Sequence, residues 1–479
     1  MTLSKTTPGD LRARVAIDLG AESCRVSLLR WRDGKPEVTL VHRVANGPVH
    51  EGKSLRWPLH TILTGVEEGL RKAAAIASEG IASIGVDGWA VDYVRLGANG
   101  KPIALPFCYR DERTLATQKA VEHLLEPQHL FELTGAQPIR INTLYQLMAD
   151  AEAGIDPSAP WANLPEYVLY WLGGARVAEY TNATHTGLVD LQTGNWAEDI
   201  FAKLKLSLDA APPIVPSGSV VGHLKGPLAE LKALNNTALI APACHDTASA
   251  IACIGSAVDA TAYIVSGTWS LVGTRLTRAI TTATARGARY TNQGAAGGGF
   301  LFHSNVNGMW LVKQCMESWA KQGRAWTIED LVAKTAGVEV TGTVNVDAEP
   351  LMLDSDMPQR INAELEARGF QPIKDVAGNE PKFARVIFKS LAERYASALD
   401  NLENMLGRKL ERIHILGGGS RNQLLTHLTA ERTGLPVETG HTEGSTIGNF
   451  AVQLASSAEV GATPSAAAVR NWACALSSC

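Results

Sequence analysis

Several features that would assign a protein to a specialised class are missing from this chain of 479 residues. It has no run of about 18 apolar residues, which is the length that a membrane-spanning helix needs. Its first residues, MTLSKTTPGDLRAR, are polar and lack the apolar segment of a signal peptide. We therefore expect a cytoplasmic protein with no membrane partner.

Cysteine pairs and an excess of basic charge are also missing. The seven cysteines are scattered and never spaced as C-x-x-C, which argues against a disulfide framework or a structural zinc site. The net charge of −4 supplies no basic field that could hold nucleic acid. We expect a protein that acts on small molecules, and the sequence does not indicate its oligomeric state.

What the chain does contain is the composition of a globular protein, with 45% hydrophobic and 19% charged residues. Its length predicts two to three domains. Three apolar, β-branched runs at 14–20, 25–31 and 37–44 predict a meander of strands. A second strand follows the first glycine-rich turn directly, whereas a dinucleotide-binding fold requires a helix there, so that fold is set aside.

The strand–turn–strand pattern recurs about 250 residues later. The run AYIVSGTWSLVGTRL at 262–276 has the same plan as the first hairpin, which favours a duplicated α/β domain, with chance repetition as the alternative. Helices are predicted at 59–76 and 383–405. The predicted organisation is an N-terminal domain over 1–247, a second domain over 248–456 and a helical tail over 457–479.

Four small or glycine-rich turns, at 18–25, 266–270, 294–299 and 417–420, are each predicted at a strand end. Glycines let backbone N–H groups approach an anion closely. Ser420 is predicted to cap the helix after the last turn, which leaves free N–H groups facing a ligand. Together the turns favour a nucleotide over any other ligand.

Carboxylates stand near these turns. Asp18 ends an apolar strand, so it is either a strand end exposed to water or a group that acts on Mg²⁺ through water. Asp87 and Asp92 raise the same question at the next strand, where one of them could simply bind turn N–H groups. The cluster YRDERT at 109–114 suits either hydroxyl recognition or surface ion pairs.

The run APACHDTASA at 241–250 places His245 and Asp246 among small residues, between a predicted strand and a predicted helix. A carboxylate at this point can accept the proton of a hydroxyl during phosphoryl transfer. The alternative is that Asp246 only caps the helix. A metal site is disfavoured, because His245 has no second histidine or cysteine pair at ligand spacing.

Taken together, these motifs resemble those of the FGGY carbohydrate kinases, particularly the members that phosphorylate L-rhamnulose. The resemblance spans nearly the whole chain in family order. It is carried by DLGAESCR (18–25), GVDGWAVDY (85–93), YRDERT (109–114), INTLYQL (141–147), EYTNATHT (179–186), HDTASA (245–250), SGTWSL (266–271), NVNGMWL (305–311), LGGGSRNQLL (416–425) and EGSTIGN (443–449).

The resemblance implies two actin-like, ribonuclease H-like domains with an ATP and sugar cleft between them. It implies ATP-dependent, Mg²⁺-dependent phosphorylation of L-rhamnulose at O1, with L-fuculose or L-xylulose as alternative ketoses. By position, Asp246 would be the general base and Asp18 would lie near the metal, through water. The sugar would contact Ala90, His245, Thr247 and Asn305. ATP would contact Ala21, Glu22, Ser23, Cys24, Arg25, Gly267, Thr268 and Gly418.

Four residues depart from the family pattern. Glu22 and Cys24 stand in a phosphate turn that usually reads ASSGR, and a carboxylate there weakens anion binding unless it points away. Gly88 and Ala90 replace the Thr and Gly of a family TWGVD run, and both are expected to reshape the sugar pocket. The phosphate-turn departures motivate an alternative from another class, a non-catalytic actin-like sensor that binds ATP and sugar without turnover.

Overall fold

The computed structural model describes residues 8–254, 260–353, 356–458 and 463–477. Its strands are β1 Ala13–Leu19, β2 Ser23–Arg32, β3 Lys35–Ala45, β4 Val49–Glu51, β5 Ser54–Arg56, β6 Ile81–Gly88, β7 Tyr93–Arg95, β8 Trp161–Asn163, β9 Ala178–Glu179, β10 Ile214–Val215, β11 Ser219–His223, β12 Ala238–Ala241, β13 Thr261–Ser266, β14 Trp269–Leu276, β15 Tyr290–Gly294, β16 Phe300–Asn307, β17 Arg412–Leu416 and β18 Val437–Thr439.

The helices are α1 Leu59–Ile76, α2 Thr114–Leu124, α3 Pro127–Thr134, α4 Thr143–Glu152, α5 Leu164–Trp171, α6 Tyr180–Ala183, α7 Glu198–Leu204, α8 Asp246–Ala252, α9 Ala283–Gly287, α10 Trp310–Lys321, α11 Ile328–Thr335, α12 Met357–Ala367, α13 Glu380–Leu406, α14 Gln423–Thr433, α15 Gly444–Ala458 and α16 Ala466–Ser477. Some helices, such as α1, α13 and α15, pack on the two large sheets, and others, such as α2, α4 and α7, pack in a separate cluster.

The first large sheet has the order β11-β12-β6-β1-β2-β3. β1, β2 and β3 form the predicted antiparallel meander, and β6 runs parallel to β1 on its other side. β1 is buried along its whole length, which explains why it reads as a nearly continuous apolar run. A charged residue at the end of such a strand is therefore held inside the protein and requires partners.

The second large sheet, with the order β15-β16-β14-β13-β17-β18, repeats this plan. β13 and β14 form the second hairpin, β16 extends it as the third antiparallel strand, and β17 runs parallel to β13 as β6 does to β1. The repeated strand–turn–strand pattern is thus a structural duplication, and the two-domain α/β architecture is confirmed. The 27-residue helix α13 covers this sheet and begins three residues before the predicted start.

Helix α15 from the second half of the chain packs on β1 and β6 of the first sheet. It presents three polar side chains at helical spacing, Ser445, Asn449 and Gln453. Gln453 donates to the carbonyl of Val15 at 3.0 Å and accepts from Ser83 at 2.6 Å. This buried polar seam joins the two halves of the chain beside the ends of their strands.

Some local predictions are wrong. The N-cap of α14 is Asn422, whose side chain accepts from the Leu425 N–H, whereas the Ser420 hydroxyl donates to the Gly417 carbonyl. Helix α13 also starts earlier than predicted, and β7 begins at Tyr93 after a loop that follows β6. No helix within the described residues is long and apolar enough to cross a membrane.

Candidate active site

Three parallel strands of the first sheet deliver their last residues to one edge. Asp18 of β1 lies beside Asp87 of β6 in the sheet register, and Gly88 pairs with His245, just beyond β12. Ligands of open α/β sheets bind outside the carboxyl ends of parallel strands. The chain therefore gathers Asp18, Asp87 and Asp246 at one place, although they are far apart in sequence.

Asp246 is the first residue of α8, and His245 is the N-cap, so the capping prediction for Asp246 is wrong. Its Oδ1 accepts from the Thr247 backbone N–H at 2.5 Å and from the Thr247 hydroxyl at 3.2 Å. The side chain remains 34% exposed. Desolvation, followed by the charge of Asp18, raises the pKa of Asp246 to about 7. A carboxyl with that pKa can take up a proton near neutral pH.

Asp18 is buried, and one of its two carboxylate oxygens accepts two hydrogen bonds. Its Oδ2 accepts from Arg25 at 2.8 Å and from the Ser445 hydroxyl at 2.5 Å, and Arg25 also reaches Glu443 at 2.6 Å. Asp87 is more deeply buried, and its Oδ2 accepts from Asn449 at 2.6 Å. Desolvation and the charge of Asp18 raise the pKa of Asp87 well above its usual range.

The loop that contains Ala90 is held in a strained conformation. Val91 has φ of 70°, which a β-branched residue rarely adopts. Its carbonyl accepts from the Thr143 hydroxyl at 2.8 Å and from the Gln146 amide at 3.3 Å. These contacts explain the INTLYQL motif, which holds the loop from behind. Strain of this kind persists where surrounding structure enforces it.

Asp92 completes the same loop and is a structural group. Its fully buried carboxylate accepts hydrogen bonds from the side chains of Trp57, Trp89 and Gln146 and from the Tyr109 backbone N–H. At Gly88, a Cβ would lie 2.7 Å from that of Leu19, so the close approach of β6 to β1 favours glycine there. The expectation that positions 88 and 90 shape the sugar pocket stays a prediction, and Ala90 is the one of the two that lies in the strained loop.

Sequence reasoning missed the buried residues that bind the backbone just before Asp246. Glu179 is fully buried and accepts from the backbone N–H of Cys244 at 2.8 Å, while the Thr181 hydroxyl accepts from the N–H of His245 at 3.3 Å. Both belong to the EYTNATHT motif, which was recognised but given no role. Because the partners are about 65 residues apart in sequence, spacing alone could not pair them.

The first of the predicted turns joins β1 to β2, and the structure shows what its two unusual residues contact. Cys24 is buried in the core of the first domain, which raises the pKa of its thiol to about 12. Glu22 is exposed and pairs with Lys313 of α10 at 2.5 Å. Ser23 accepts from Arg43, and Ala21 packs on the core. The side chain of Cys24 therefore lies in the core, and the charge of Glu22 is paired with that of Lys313.

The second sheet presents two of its predicted turns at one edge. Gly267 and Thr268 turn β13 into β14, and the carbonyl of Thr268 accepts from Trp310 at the start of α10. Gly417 has φ of 80° beside Ser266, and Gly418 next to it has open space where a Cβ would lie. The turn at 294–299 lies at the opposite end of the sheet, next to Leu276, so it cannot share a ligand with the others.

The remaining candidates fall in different places. Asn305 lies on β16, half-buried, and its side chain has no hydrogen-bond partner among the described residues. Asp111 is buried and accepts from the Leu55 backbone N–H, and Arg113 pairs with buried Asp150 at 2.6 Å. The YRDERT cluster is therefore mainly a buried structural network. The surface ion pairs weighed as its alternative are wrong for these two residues.

The chain is similar to known proteins along almost all of its length. Models of the FGGY family of carbohydrate kinases match residues 13–253 with the N-terminal domain and 262–457 with the C-terminal domain. A rhamnulokinase of Enterobacter sp. (strain 638) is 35% identical over 93% of this chain and 89% of its own length. A rhamnulokinase of Bacteroides thetaiotaomicron is 31% identical over 91% and 89%.

Solved structures share the fold at lower identity. Gluconate kinase from Lactobacillus acidophilus superimposes with a TM-score of 0.76 at 16% identity, over 94% of this chain and 90% of its own. Glycerol kinase from Plasmodium falciparum with ADP gives 0.71 at 14%, over 92% and 89%. The chain belongs to the FGGY family of carbohydrate kinases and is an ATP-dependent sugar kinase.

Proposed function

We propose that this chain transfers the γ-phosphoryl group of ATP to the 1-hydroxyl of L-rhamnulose, with Asp246 as the general base. The observation that carries the proposal is Asp246 itself, at the carboxyl edge of the first sheet with a pKa raised to about 7. The two rhamnulokinase relatives support L-rhamnulose as the first substrate to test. L-fuculose and L-xylulose are the next candidates.

The roles of the other residues are carried over from the matching family motifs. Ala90, Thr247 and Asn305 are assigned to the sugar. The motifs assign His245 to the sugar as well, but its ring nitrogens face His185 and Asp246, so we assign it to the support of Asp246 instead. Ala21, Glu22, Ser23, Cys24, Arg25, Gly267, Thr268 and Gly418 are assigned to ATP, where the turn backbones supply N–H donors. Cys24 contributes through its backbone, because its side chain is buried in the core. Asp246 accepts the hydroxyl proton as the oxygen attacks the γ-phosphorus.

The carboxylates suit a magnesium ion bound through water. Asp87 Oδ1 is a buried acceptor without a hydrogen-bond partner, next to Asp18 in the sheet. Among the described residues, no group of three or more His, Cys, Asp or Glu side chains forms a set of direct ligands. Mg²⁺ commonly keeps several waters and binds one or two carboxylates plus phosphates. We assign Asp18 and Asp87 to this role, in which the ion neutralises phosphate charge.

The test is a ketose panel with purified protein, ATP and Mg²⁺. ADP release is expected to be fastest with L-rhamnulose, and phosphorus NMR of the product is expected to show a 1-phosphate ester. A higher kcat/KM for L-fuculose or L-xylulose would overturn the substrate assignment and leave the kinase chemistry intact. Binding of ATP and ketose without ADP release would instead support the sensor alternative.

A further inference from the structure

A row of buried side chains in contact with one another runs from the second sheet to Asp246. The Nε2 of Gln293 on β15 lies 2.8 Å from His185 Nδ1, and His185 Nε2 lies 2.9 Å from His245 Nδ1. His245 Nε2 in turn lies 3.4 Å from Asp246 Oδ1. Gln293, His185 and His245 are at most 9% exposed. Neither Gln293 nor His185 is among the residues assigned to ATP or the sugar.

The orientation of the Gln293 amide sets the protons along this row. With its nitrogen toward His185, as the structure has it, Gln293 donates and His185 Nδ1 accepts. A neutral imidazole that accepts at Nδ1 carries its proton on Nε2, and it therefore donates to His245 Nδ1. By the same rule His245 carries its proton on Nε2, facing Asp246.

Burial keeps both rings neutral, as this arrangement requires. Desolvation lowers the pKa of His245 to about 3, and desolvation together with His245 and His303 lowers the pKa of His185 well below its usual range. The rings lie with their centroids 3.9 Å apart. Two imidazolium ions could not occupy this space without strong repulsion.

The two oxygens of Asp246 are consequently unequal. Oδ1 faces the His245 Nε2–H and also accepts both hydrogen bonds from Thr247. Oδ2 has no hydrogen-bond or ion-pair partner among the described residues. One oxygen is anchored to the protein, and the other remains for a substrate hydroxyl.

We propose that Gln293 and His185 are positioning residues: they set the tautomer of His245 so that its Nε2–H points toward Asp246 Oδ1, which Thr247 also binds, and Oδ2 is left to accept the proton of the sugar hydroxyl. This rests on the proposed general-base role of Asp246. Gln293 belongs to the second sheet and Asp246 to the first. The base is thus oriented from across the domain boundary, where the Gly294 N–H also donates to Thr184 at 2.8 Å.

The cost of burying Gln293 agrees with such a role. Its Oε1 is buried and has no hydrogen-bond partner among the described residues. An unpaired buried acceptor lowers stability, and an apolar side chain of similar size would avoid that loss. Packing alone therefore does not explain a glutamine here, whereas a donor aimed at His185 does.

The first experiment separates positioning from folding. Gln293→Leu removes the donor. Gln293→Glu reverses the direction of the hydrogen bonds, because a carboxylate accepts from His185 Nδ1–H. Both histidines then change tautomer, and the Nε2 lone pair of His245 faces Asp246. We expect kcat to fall about tenfold in the leucine variant and further in the glutamate variant, with KM for ATP within about twofold of the wild type. The matched control is Gln314→Leu, at a glutamine of similar burial on α10 that contacts Glu317.

Equal kcat in the wild type and both Gln293 variants would overturn the proposal, as would a kcat loss of the same size in Gln314→Leu.

The second experiment needs no substrate. It records two-bond ¹H–¹⁵N spectra of wild-type protein labelled with ¹⁵N-histidine, and the His185→Phe variant assigns the signals. His185 and His245 are expected as neutral Nε2–H tautomers, and Nδ1–H tautomers would overturn the proposal. If the protein does not phosphorylate L-rhamnulose, only the proposed substrate is wrong. The kinetic comparison of the Gln293 variants is then made with the ketose that is active, and the spectra report the tautomers without any substrate.

Discussion

Replacing Asp246 with asparagine tests the catalytic assignment directly. Asparagine keeps an oxygen that can accept from Thr247 and places an amide nitrogen where Oδ2 was, so the shape is preserved and the proton acceptor is lost. General-base catalysis contributes about 10²–10⁴-fold to rate. We expect kcat to fall by that factor, equivalent to about 3–5 kcal/mol of transition-state stabilisation.

The conditions for this comparison follow from the pKa of the group. Because the pKa of Asp246 is raised to about 7, wild-type kcat/KM should rise with pH through about 7 and level off above about pH 8, where the carboxylate form dominates. Initial ADP-release rates at pH 8.5 therefore compare a fully active wild type with Asp246→Asn. In the variant the rise near pH 7 should be absent.

The control carries the same substitution far from the edge of the sheet. Asp375 is 26% exposed and pairs with Arg324, so Asp375→Asn removes a carboxylate of comparable exposure. Its kcat should match the wild type. If Asp246→Asn turned over within threefold of the wild-type rate, or kept the rise near pH 7, Asp246 would not be the base.

Four further substitutions test the surroundings of the site. Glu22→Gln frees Lys313 to approach ATP, so KM for ATP should fall about two- to fivefold at low salt, while the free energy of unfolding changes by no more than about 1 kcal/mol. An unchanged KM would contradict this. Glu179→Gln places an amide donor among buried donors and should lower the free energy of unfolding by about 3 kcal/mol in urea titrations; wild-type stability would refute the burial argument. Gly418→Ala should fold normally and raise KM for ATP. Gly419→Ala should lower the melting temperature, because its Cβ would overlap Ser266 at the end of β13. The same KM and melting temperature in both variants would contradict the proposed role of this turn.

Much of the site was predictable because catalytic residues stand in short, local motifs. Asp18 lies at the end of an apolar strand and Asp246 begins a helix, and both patterns are visible in a dozen residues. The supporting residues were not predictable in this way. Glu179, His185 and Gln293 lie in separate segments, and no local periodicity or spacing indicates which of them meet.

The direction in which a side chain points was the second feature that the sequence did not reveal. Cys24 and Glu22 look harmful in a phosphate turn, yet the pleat of β2 turns Cys24 into the core and an ion pair draws Glu22 toward α10. At position 88, the sequence did not reveal that a Cβ would meet Leu19 of the neighbouring strand. The turn at 294–299 shares its composition with the others and lies at the wrong end of its sheet.

By itself, the sequence determined the strand runs, the repeated hairpin and the family motifs, because burial of apolar residues and turn chemistry act over a few neighbouring residues. Tertiary structure decided which strand ends meet, which oxygen of Asp246 is anchored and how far the pKa of Asp246 is raised. Those properties depend on desolvation and on charges brought together from distant segments. They arise when the two sheets and α15 assemble around the same edge.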